Sequence, residues 1–495
     1  MSRPQIVLCF DGTGNTFRAD GTETNILKIC RMLKRGDEQH IYYQPGIGTE
    51  ITPGSLAATK LKRNTFSGRS KTLSQALGQT FDQHVLGGYR FLMRHYRESS
   101  EIFIFGFSRG AYTASYLADM LDYVGLLGPD NEEMVPLIWN AFSDFKMAGF
   151  KEGRGSAAFS YMKHCRRTLC RPIARIKFLG LFDAVNSVSG LELLTKGRST
   201  AQTIRHAVST DERRVKFQPV LHRSSARKNI KQRHAHINQP AAVPSESVNE
   251  AEIGSNEHVG GSPKASEETP NEDDETDIEE LWFPGNHADI GGGFQRGPNE
   301  GKQLSHTPLV WMINCAEQAG LHVNHEEMCE LGCRDEAGNE QSPDSPYQKA
   351  LLESATTGLL HSCLDFNSGV PALTVLGWKL MEYLPISRPK IMPDGSCRMA
   401  HWPVHRSEPR DIPHDATVHG SVIKRMQSDD TYRPGNIIVG GGGRGIKKAP
   451  MEYGMGEWQL FKHEGDPLKE IYVRKSLLQT LAPAGGEDKG GDALR

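Results

Sequence analysis

FIFGFSRGAYTASYLADML, residues 103–121, joins a run of β-forming residues to an Ala-rich helical pattern through one short turn. Ser108 stands in that turn between Gly106 and Gly110, which gives the pattern G-x-S-x-G. Two glycines let a strand and a helix approach closely, and the serine between them is then held exposed and strained at the helix N-terminus. The segment predicts a nucleophile elbow with Ser108 as the nucleophile. The alternative is an ordinary strand-to-helix turn in which Ser108 is only a small residue.

Other short apolar runs repeat this strand-like character through the first 220 residues. They are QIVLCF (5–10), HIYYQPG (40–46), EIFIFGF (101–107) and RIKFLGLFD (175–183). Amphipathic stretches such as 75–96 lie between them, and an alternation of strands with helices is typical of a parallel sheet. We therefore predict an α/β-hydrolase-like fold with a mostly parallel central sheet flanked by helices. Ligands of such sheets bind outside the carboxyl ends of the strands.

A serine nucleophile needs a histidine base and an acid that orients it. In α/β-hydrolases these residues follow in the order Ser, Asp or Glu, His, each after a strand. Asp183 ends one apolar run, and His287 in LWFPGNHADIGGG follows another. We predict a triad of Ser108, Asp183 and His287. The alternative bases are His206, which lies in a helical pattern and is expected to be structural, and the later His419.

The oxyanion donors are predicted from the same two turns. The backbone N–H of Arg109 and the dipole of the following helix face the oxyanion that develops at Ser108. The FDGTGN turn (10–15) follows the first strand, and Gly12 and Thr13 are candidates for the second donor. The same glycine-rich turn could instead hold a phosphate, or be a plain turn formed through Asp11.

Two further carboxylates are secondary candidates, Asp11 and Asp289. Asp289 could orient His287 or cap the glycine-rich loop, and we expect capping. A metal-dependent alternative has Asp11, Asp183, His287 and Asp289 converging on an ion. Serine chemistry requires no metal, so no cofactor is expected.

Composition limits the other classes of function. The net charge is −2 over 495 residues, which indicates neither nucleic acid nor an anionic membrane as a partner of the whole chain. The 9 cysteines are odd in number and lack paired CxxC units, so a reducing compartment is favoured. We see no secretory signal and no apolar run of about 18–20 residues, and expect a soluble, cytoplasmic protein.

Changes in composition divide the chain. Residues 223–236 are basic and 237–277 are poor in large apolar side chains, so 223–277 is predicted to be a disordered charged insertion. A nuclear-localisation or nucleic-acid patch is the alternative for its basic part. The predicted units are the hydrolase core (1–222 and 278–385), the insertion (223–277), an accessory or lid-like region (386–481) and a disordered tail (482–495).

Three local elements of the second half are also predicted. A helix over 305–321 has Thr307 as N-cap and Pro308 in its first position. Residues 373–384 form a helix expected to be core, a lid or a membrane contact; one of its faces carries Leu373, Leu376, Leu380, Met381 and Leu384. A hairpin is expected around Asp394 and Gly395.

Several motifs together resemble a known family. They are LCFDGTGN, YYQPGIGT, FGFSRGAYTA, FLGLFDAVNSV, RHAVSTDERRVKFQP and LWFPGNHADIGGG, in that order. The set is similar to the uncharacterised α/β-hydrolase domain typified by the phospholipase effectors of bacterial type VI secretion. The resemblance implies an esterase with nucleophile Ser108, acid Asp183 and base His287, acting on phospholipid or a related ester.

Two departures from the family are visible. Phe182 and Ala184 flank Asp183, where the family usually has Trp and Thr. The long charged insertion resembles the stand-alone members found in fungi. We expect a serine hydrolase that cleaves acyl esters of lipid or phospholipid through an acyl-enzyme, with transient contact to a membrane surface. The alternative is a catalytically silent hydrolase fold that serves as a binding or scaffold protein.

Overall fold

The computed structural model describes thirteen segments of the chain. They are residues 3–12, 21–46, 70–148, 154–186, 201–222, 276–296, 300–338, 340, 342–366, 370–392, 397–441, 445–466 and 468–477. The predicted insertion up to residue 275 and the predicted tail 482–495 lie outside them.

Strands and helices alternate from residue 5 to residue 124, as the sequence predicts, whereas later parts of the described chain have several strands or several helices in succession. The strands are β1 (Gln5–Phe10), β2 (Gln39–Gln44), β3 (Glu101–Phe107), β4 (Leu126–Leu127), β5 (Cys170–Arg171), β6 (Phe178–Phe182), β7 (Thr203–Ser209), β8 (Asp277–Phe283), β9 (Arg388–Ile391), β10 (Cys397–Ala400), β11 (Thr417–His419), β12 (Trp458–Lys462) and β13 (Ile471–Arg474). The helices are α1 (Asn25–Met32), α2 (Ser70–His95), α3 (Arg109–Val124), α4 (Val135–Ala148), α5 (Arg154–Leu169), α6 (His287–Gly291), α7 (His306–Gln318), α8 (His325–Glu330), α9 (Pro346–Thr357), α10 (Ala372–Met381), α11 (Gly420–Ser428) and α12 (Gly435–Ile438). Two 3-10 turns occupy Glu132–Met134 and Met451–Tyr453.

Nine strands form one central sheet in the order β12-β13-β11-β8-β7-β6-β3-β1-β2. The seven strands from β2 to β11 are parallel to their neighbours, whereas β13 and β12 are added antiparallel. Small antiparallel pairs are formed by β4 with β5 and by β9 with β10. The mostly parallel α/β architecture predicted from the sequence is confirmed.

Both faces of the sheet are covered, and β1 shows how. Ile6, Leu8 and Phe10 point to one side, where α2, α3, α4 and α5 pack. Val7 and Cys9 point to the other side, where α1, α7, α8 and α9 pack. A strand buried on both faces reads as a continuous apolar run, which is why QIVLCF predicts this strand to the residue.

The C-terminal region is part of the sheet. The sequence predicts an accessory or lid-like unit over residues 386–481, yet this region contributes β11, β13 and β12 to the central sheet. A separate apolar cluster joins these strands to β8, with Trp282 packed against Val418 and Val422. The boundary predicted at residue 385 therefore does not separate the sheet from the rest of the chain.

Several predicted boundaries differ from the observed ones. The α7 helix begins at His306 with Ser305 at its N-cap, not at Thr307. The β8 strand begins at Asp277, so the last residue of the predicted insertion is in the sheet. The β9–β10 hairpin is present, but its expected turn at Asp394 and Gly395 lies outside the described residues.

Candidate active site

Ser108 occupies the single residue between β3 and α3, with a φ of 59° and a ψ of −126°. Such a positive φ is strained for any residue but glycine. The two flanking glycines are required by close approach: a Cβ on Gly110 would lie 2.2 Å from the carbonyl oxygen of Phe10, and one on Gly106 would lie 2.5 Å from the Cα of Ala111. The turn is therefore as tight as the sequence pattern predicts. Ser108 itself is buried, however, whereas the elbow pattern predicts an exposed serine.

Three side chains that follow three different strands meet at this turn. Ser108 Oγ lies 2.7 Å from His287 Nε2, and His287 Nδ1 lies 2.5 Å from Asp183 Oδ2. Ser108 follows β3, Asp183 follows β6, and His287 follows β8 as the first residue of α6. Because an ionised carboxylate only accepts hydrogen bonds, Nδ1 carries the proton and Nε2 is free to accept one from the serine hydroxyl.

Asp183 is fully buried and strongly hydrogen bonded. Its Oδ1 accepts from the Ser209 backbone N–H at 2.9 Å. The Arg410 guanidinium donates to both carboxylate oxygens, at 2.6 Å to Oδ1 and 2.9 Å to Oδ2. Burial acts to raise the pKa of Asp183, but Arg410 and His287 outweigh it and hold that pKa well below its usual range.

A second buried carboxylate supports the loop that carries the histidine. Glu212 Oε2 accepts from the His287 backbone N–H at 3.3 Å, and Arg214 donates to both oxygens of Glu212. Burial acts to raise the pKa of Glu212, but Arg214 outweighs it and lowers that pKa to about 2. Two carboxylate–guanidinium pairs, Asp183–Arg410 and Glu212–Arg214, thus surround the His287 imidazole with balanced charge.

Aromatic rings enclose the imidazole. Phe107 and Phe217 each lie with their ring centroid 4.8 Å from that of His287. Burial lowers the pKa of His287, and the bond to Asp183 opposes this only in part. Burial therefore favours the neutral form of the imidazole, which is the form able to accept a proton.

The turns predicted to supply the oxyanion donors lie beside Ser108. Arg109 begins α3 immediately after the serine. Gly12 follows the Phe10 and Asp11 carbonyls that contact Gly110. The Gly12 N–H donates to Asp11 Oδ1 at 2.6 Å, which is the plain-turn alternative for this residue. Thr13 lies outside the described residues.

The two secondary carboxylates have other partners than the imidazole. Asp11 Oδ2 accepts from Thr24 and from Tyr43, both at 2.8 Å. Asp289 caps the N-terminus of α6 through the Asn286 N–H and bonds His361 Nδ1 at 2.7 Å. The geometry at Asp289 is thus the capping arrangement. Among the described residues, no group of three or more His, Cys, Asp or Glu side chains is arranged to hold a metal ion.

The two histidines considered as alternative bases, His206 and His419, contact other residues. His206 lies in strand β7, so the helical pattern around it in the sequence is misleading. Its Nδ1 lies 2.8 Å from Glu280, and its Nε2 accepts from the Ala184 N–H at 3.1 Å. His419 ends β11, stacks on Phe283 and caps the N-terminus of α11. Neither contacts Ser108 in the described structure.

Sequence reasoning missed the residues that pack against and bond to Asp183 and His287. Glu212, Arg214 and Phe217 belong to the motif RHAVSTDERRVKFQP, which is recognisable as a whole but does not reveal the role of each residue. Arg410 lies 227 residues after its partner in a Pro-rich stretch that carries no local signal.

No helix in the described part of the chain has the length and apolar character needed to cross a bilayer.

A parallel sheet with a strained serine, a histidine and an aspartate in hydrogen-bond contact at its carboxyl edge defines an α/β-hydrolase type of protein. The family described as "T6SS, Phospholipase effector Tle1-like, catalytic domain" matches residues 4–315. The chain belongs to this family, as its motifs predicted. Membership in a family of phospholipase effectors supports a lipid-hydrolase function.

Individual relatives and solved structures share low sequence identity with this chain. The "Uncharacterized protein YEL023C" of Saccharomyces cerevisiae (strain ATCC 204508 / S288c) is 26% identical over 562 residues, covering 88% of this chain and 81% of the yeast protein. An uncharacterized protein from Pseudomonas aeruginosa aligns with a TM-score of 0.33 and 19% identity over 71% of this chain. The Tle1 effector bound to the VgrG spike from the Type 6 secretion system aligns with a TM-score of 0.29 and 15% identity over 61% of this chain. The alignments span about half of those two solved chains, 52% and 53%.

Proposed function

We propose that the protein is a serine hydrolase that cleaves acyl esters of lipids or phospholipids through Ser108, His287 and Asp183. The observation that carries the proposal is the continuous hydrogen-bond chain from Ser108 Oγ through the imidazole to Asp183, at 2.7 and 2.5 Å, with the serine held at a positive φ. A structural serine would need neither the strained turn nor an imidazole oriented by a buried carboxylate.

In the proposed reaction, Ser108 Oγ attacks the ester carbonyl while His287 Nε2 takes the hydroxyl proton. The tetrahedral oxyanion collapses, the bond to the leaving alcohol breaks, and His287 returns the proton to that alcohol. A water molecule then repeats the sequence on the acyl-enzyme: it gives a proton to His287, and Ser108 regains one as the carboxylic acid leaves. Asp183 keeps Nδ1 protonated and stabilises the transient imidazolium.

Stabilisation of the oxyanion is assigned to the N-terminus of α3. The Arg109 backbone N–H and the aligned peptide dipoles of that helix adjoin Ser108. Gly12 and Thr13 stay candidates for the second donor. For Gly12 this requires its N–H to leave the Asp11 carboxylate when substrate binds.

Intact mass after incubation with a fluorophosphonate probe tests the proposal. The native protein should gain one adduct, Ser108→Ala none, and His287→Ala should react at least about 10²-fold more slowly, because the base is lost. Ser115→Ala is the matched control, since Ser115 lies two turns along α3 and donates to the Ala111 carbonyl. Absence of an adduct on folded native protein would favour the silent scaffold. Hydrolysis should also increase when the ester substrate passes from monomers to micelles or vesicles.

A further inference from the structure

Large apolar side chains are unusually exposed on one part of the molecule, the region between residues 366 and 402. They include Phe366, Leu373, Leu376, Leu380, Tyr383, Leu384, Met399 and Trp402. In the α10 helix, Leu373 is 71% exposed, Leu376 57% and Leu380 64%. An apolar patch of this kind on a folded protein marks an interaction site.

The exposed leucines share one face of α10. Leu373, Leu376 and Leu380 follow the i, i+3, i+7 spacing of a helix stripe, whereas Val375 is fully buried and anchors the opposite side. Glu382, just after the helix, is also buried; its carboxylate accepts from the Val215 N–H at 2.7 Å and bonds His405 at 2.6 Å. The helix is therefore fixed to the core and presents its leucines outward.

Trp402, two residues after the β9–β10 hairpin, is a further exposed aromatic side chain in this region. Arg388, at the start of β9, donates to the Pro403 carbonyl at 2.9 Å, and the Arg406 N–H donates to the Glu382 carbonyl at 3.0 Å. These bonds tie the segment after Trp402 to the end of α10. Trp402 itself is 74% exposed.

Exposed charges beside the leucines are mostly positive. In the described residues 370–392 and 397–402, Lys379, Lys390 and Arg398 reach the surface, whereas Arg388 and the carboxylate Glu382 are buried. Asp365, next to Phe366, is an exposed carboxylate, and it pairs with Arg213. Lys379 Nζ lies 4.5 Å above the Phe366 ring, so a cation adjoins the apolar face directly. Leucines bordered by Lys, Arg, Trp and Tyr match the interface of an anionic bilayer, where apolar groups enter the acyl region and cations meet phosphates.

The same helix reaches the triad. The Trp378 ring lies 5.6 Å from that of Phe217, which in turn contacts the His287 imidazole. The Arg214 guanidinium lies 3.5 Å from the Phe217 ring centroid and 5.0 Å from that of Trp378. The Trp378 and Phe217 rings thus connect the helix that carries the exposed leucines to the proposed base.

We propose that α10 and Trp402 form a docking surface for an anionic lipid bilayer. Leu373, Leu376 and Leu380 enter the headgroup–acyl boundary, and the neighbouring Lys and Arg side chains contact the headgroups. The proposal rests on the proposed lipid-hydrolase function and extends it, because docking on this face brings the triad to the membrane surface where its substrate lies.

The test measures binding without chemistry, in full-length protein carrying Ser108→Ala. Co-flotation with phosphatidylglycerol–phosphatidylcholine vesicles is compared with pure phosphatidylcholine vesicles. Anionic vesicles should bind the protein more tightly, and L373Q/L376Q/L380Q should weaken that binding at least about tenfold, since three exposed leucines lose their apolar transfer. The matched control is L137Q/L352Q/L359Q, three exposed leucines outside the surface, and it should bind like the parent.

Other outcomes would overturn the proposal. Equal binding of the two triple variants, or equal binding to neutral and anionic vesicles, would contradict it. A dimer in sedimentation that only the α10 variant loses would assign the face to a second copy of the chain. Thermal unfolding of both variants should match the parent within a few degrees, because exposed substitutions cost about 0.5 kcal/mol or less. Failure of probe labelling with intact vesicle binding would reject the hydrolase and leave the docking surface.

Discussion

Asp183 Oδ2 accepts hydrogen bonds from two side chains, the His287 imidazole and the Arg410 guanidinium. A carboxylate that is already paired with a guanidinium stabilises a neighbouring imidazolium less than an unpaired one does. Burial acts in the same direction on His287. At the residue scale, the site is therefore arranged to keep the His287 imidazole neutral.

This arrangement predicts the pH dependence of ester hydrolysis. Since only neutral His287 can accept the serine proton, kcat/KM should fall as the pH drops through the lowered pKa of His287. The midpoint of this acid limb should lie below the ordinary histidine value of about 6.5. Arg410→Met should move the midpoint to higher pH, because removal of the positive charge favours the imidazolium. The pH profile of a soluble short-chain ester measures both.

Arg433→Met is the control for burial of a guanidinium. Arg433 is also buried, but it donates to the backbone carbonyls of Ala449, Pro450 and Gly454 instead of to Asp183. The acid limb of the pH profile of Arg433→Met should match that of the native protein. An acid limb that does not move in Arg410→Met would contradict the electrostatic role of Arg410.

Breaking the buried Asp183–Arg410 pair should also lower the free energy of unfolding by about 3–5 kcal/mol.

At the scale of elements, the tight junction of β3 with α3 sets the position of the serine. Gly110→Ala should lower the free energy of unfolding by about 1–3 kcal/mol, because its methyl group would overlap the Phe10 carbonyl. Gly377→Ala, inside α10 with no atom near the new Cβ, should raise stability by about 0.5–1 kcal/mol. Urea unfolding of both variants measures the contrast. Equal changes in the free energy of unfolding for the two variants would show that the β3–α3 junction can accommodate the additional methyl group.

Strands such as β1 and β3 were predictable to the residue because buried parallel strands are continuous apolar runs that end at turn residues. The serine, aspartate and histidine that meet at the candidate site were found in the same way, each after a strand. The β11 strand has three residues, too few to show any periodicity. Arg410 could not be predicted, since its contact with Asp183 is made only by the folding of the C-terminal region onto the sheet.

For the whole molecule, the sheet determines which parts of the chain can be deleted without loss of the fold. A chain ending at residue 385 lacks β11, β13 and β12, and it leaves β8 as an open edge with Asp183 deprived of Arg410. We expect this truncation to lose cooperative thermal unfolding and to aggregate. Circular dichroism during heating and the yield of monomer by gel filtration measure this.

A second, shorter truncation that lacks only residues 482–495, the predicted tail, serves as the control. It should unfold at the same temperature as the full chain, because the described strands and both carboxylate–guanidinium pairs are retained. Cooperative unfolding of the chain ending at residue 385 would mean that the last three strands are dispensable.

The pairing of Asp183 with Arg410 also determines when the candidate site can be completed during synthesis of the chain. The ribosome synthesises Ser108, Asp183 and His287 long before Arg410. The nascent chain therefore carries all three residues while the Asp183 carboxylate still lacks the Arg410 guanidinium. The sheet, too, stays open at β8 until residues 417–474 emerge. A newly made chain therefore reaches the geometry described here only after Arg410 and residues 417–474 have been synthesised.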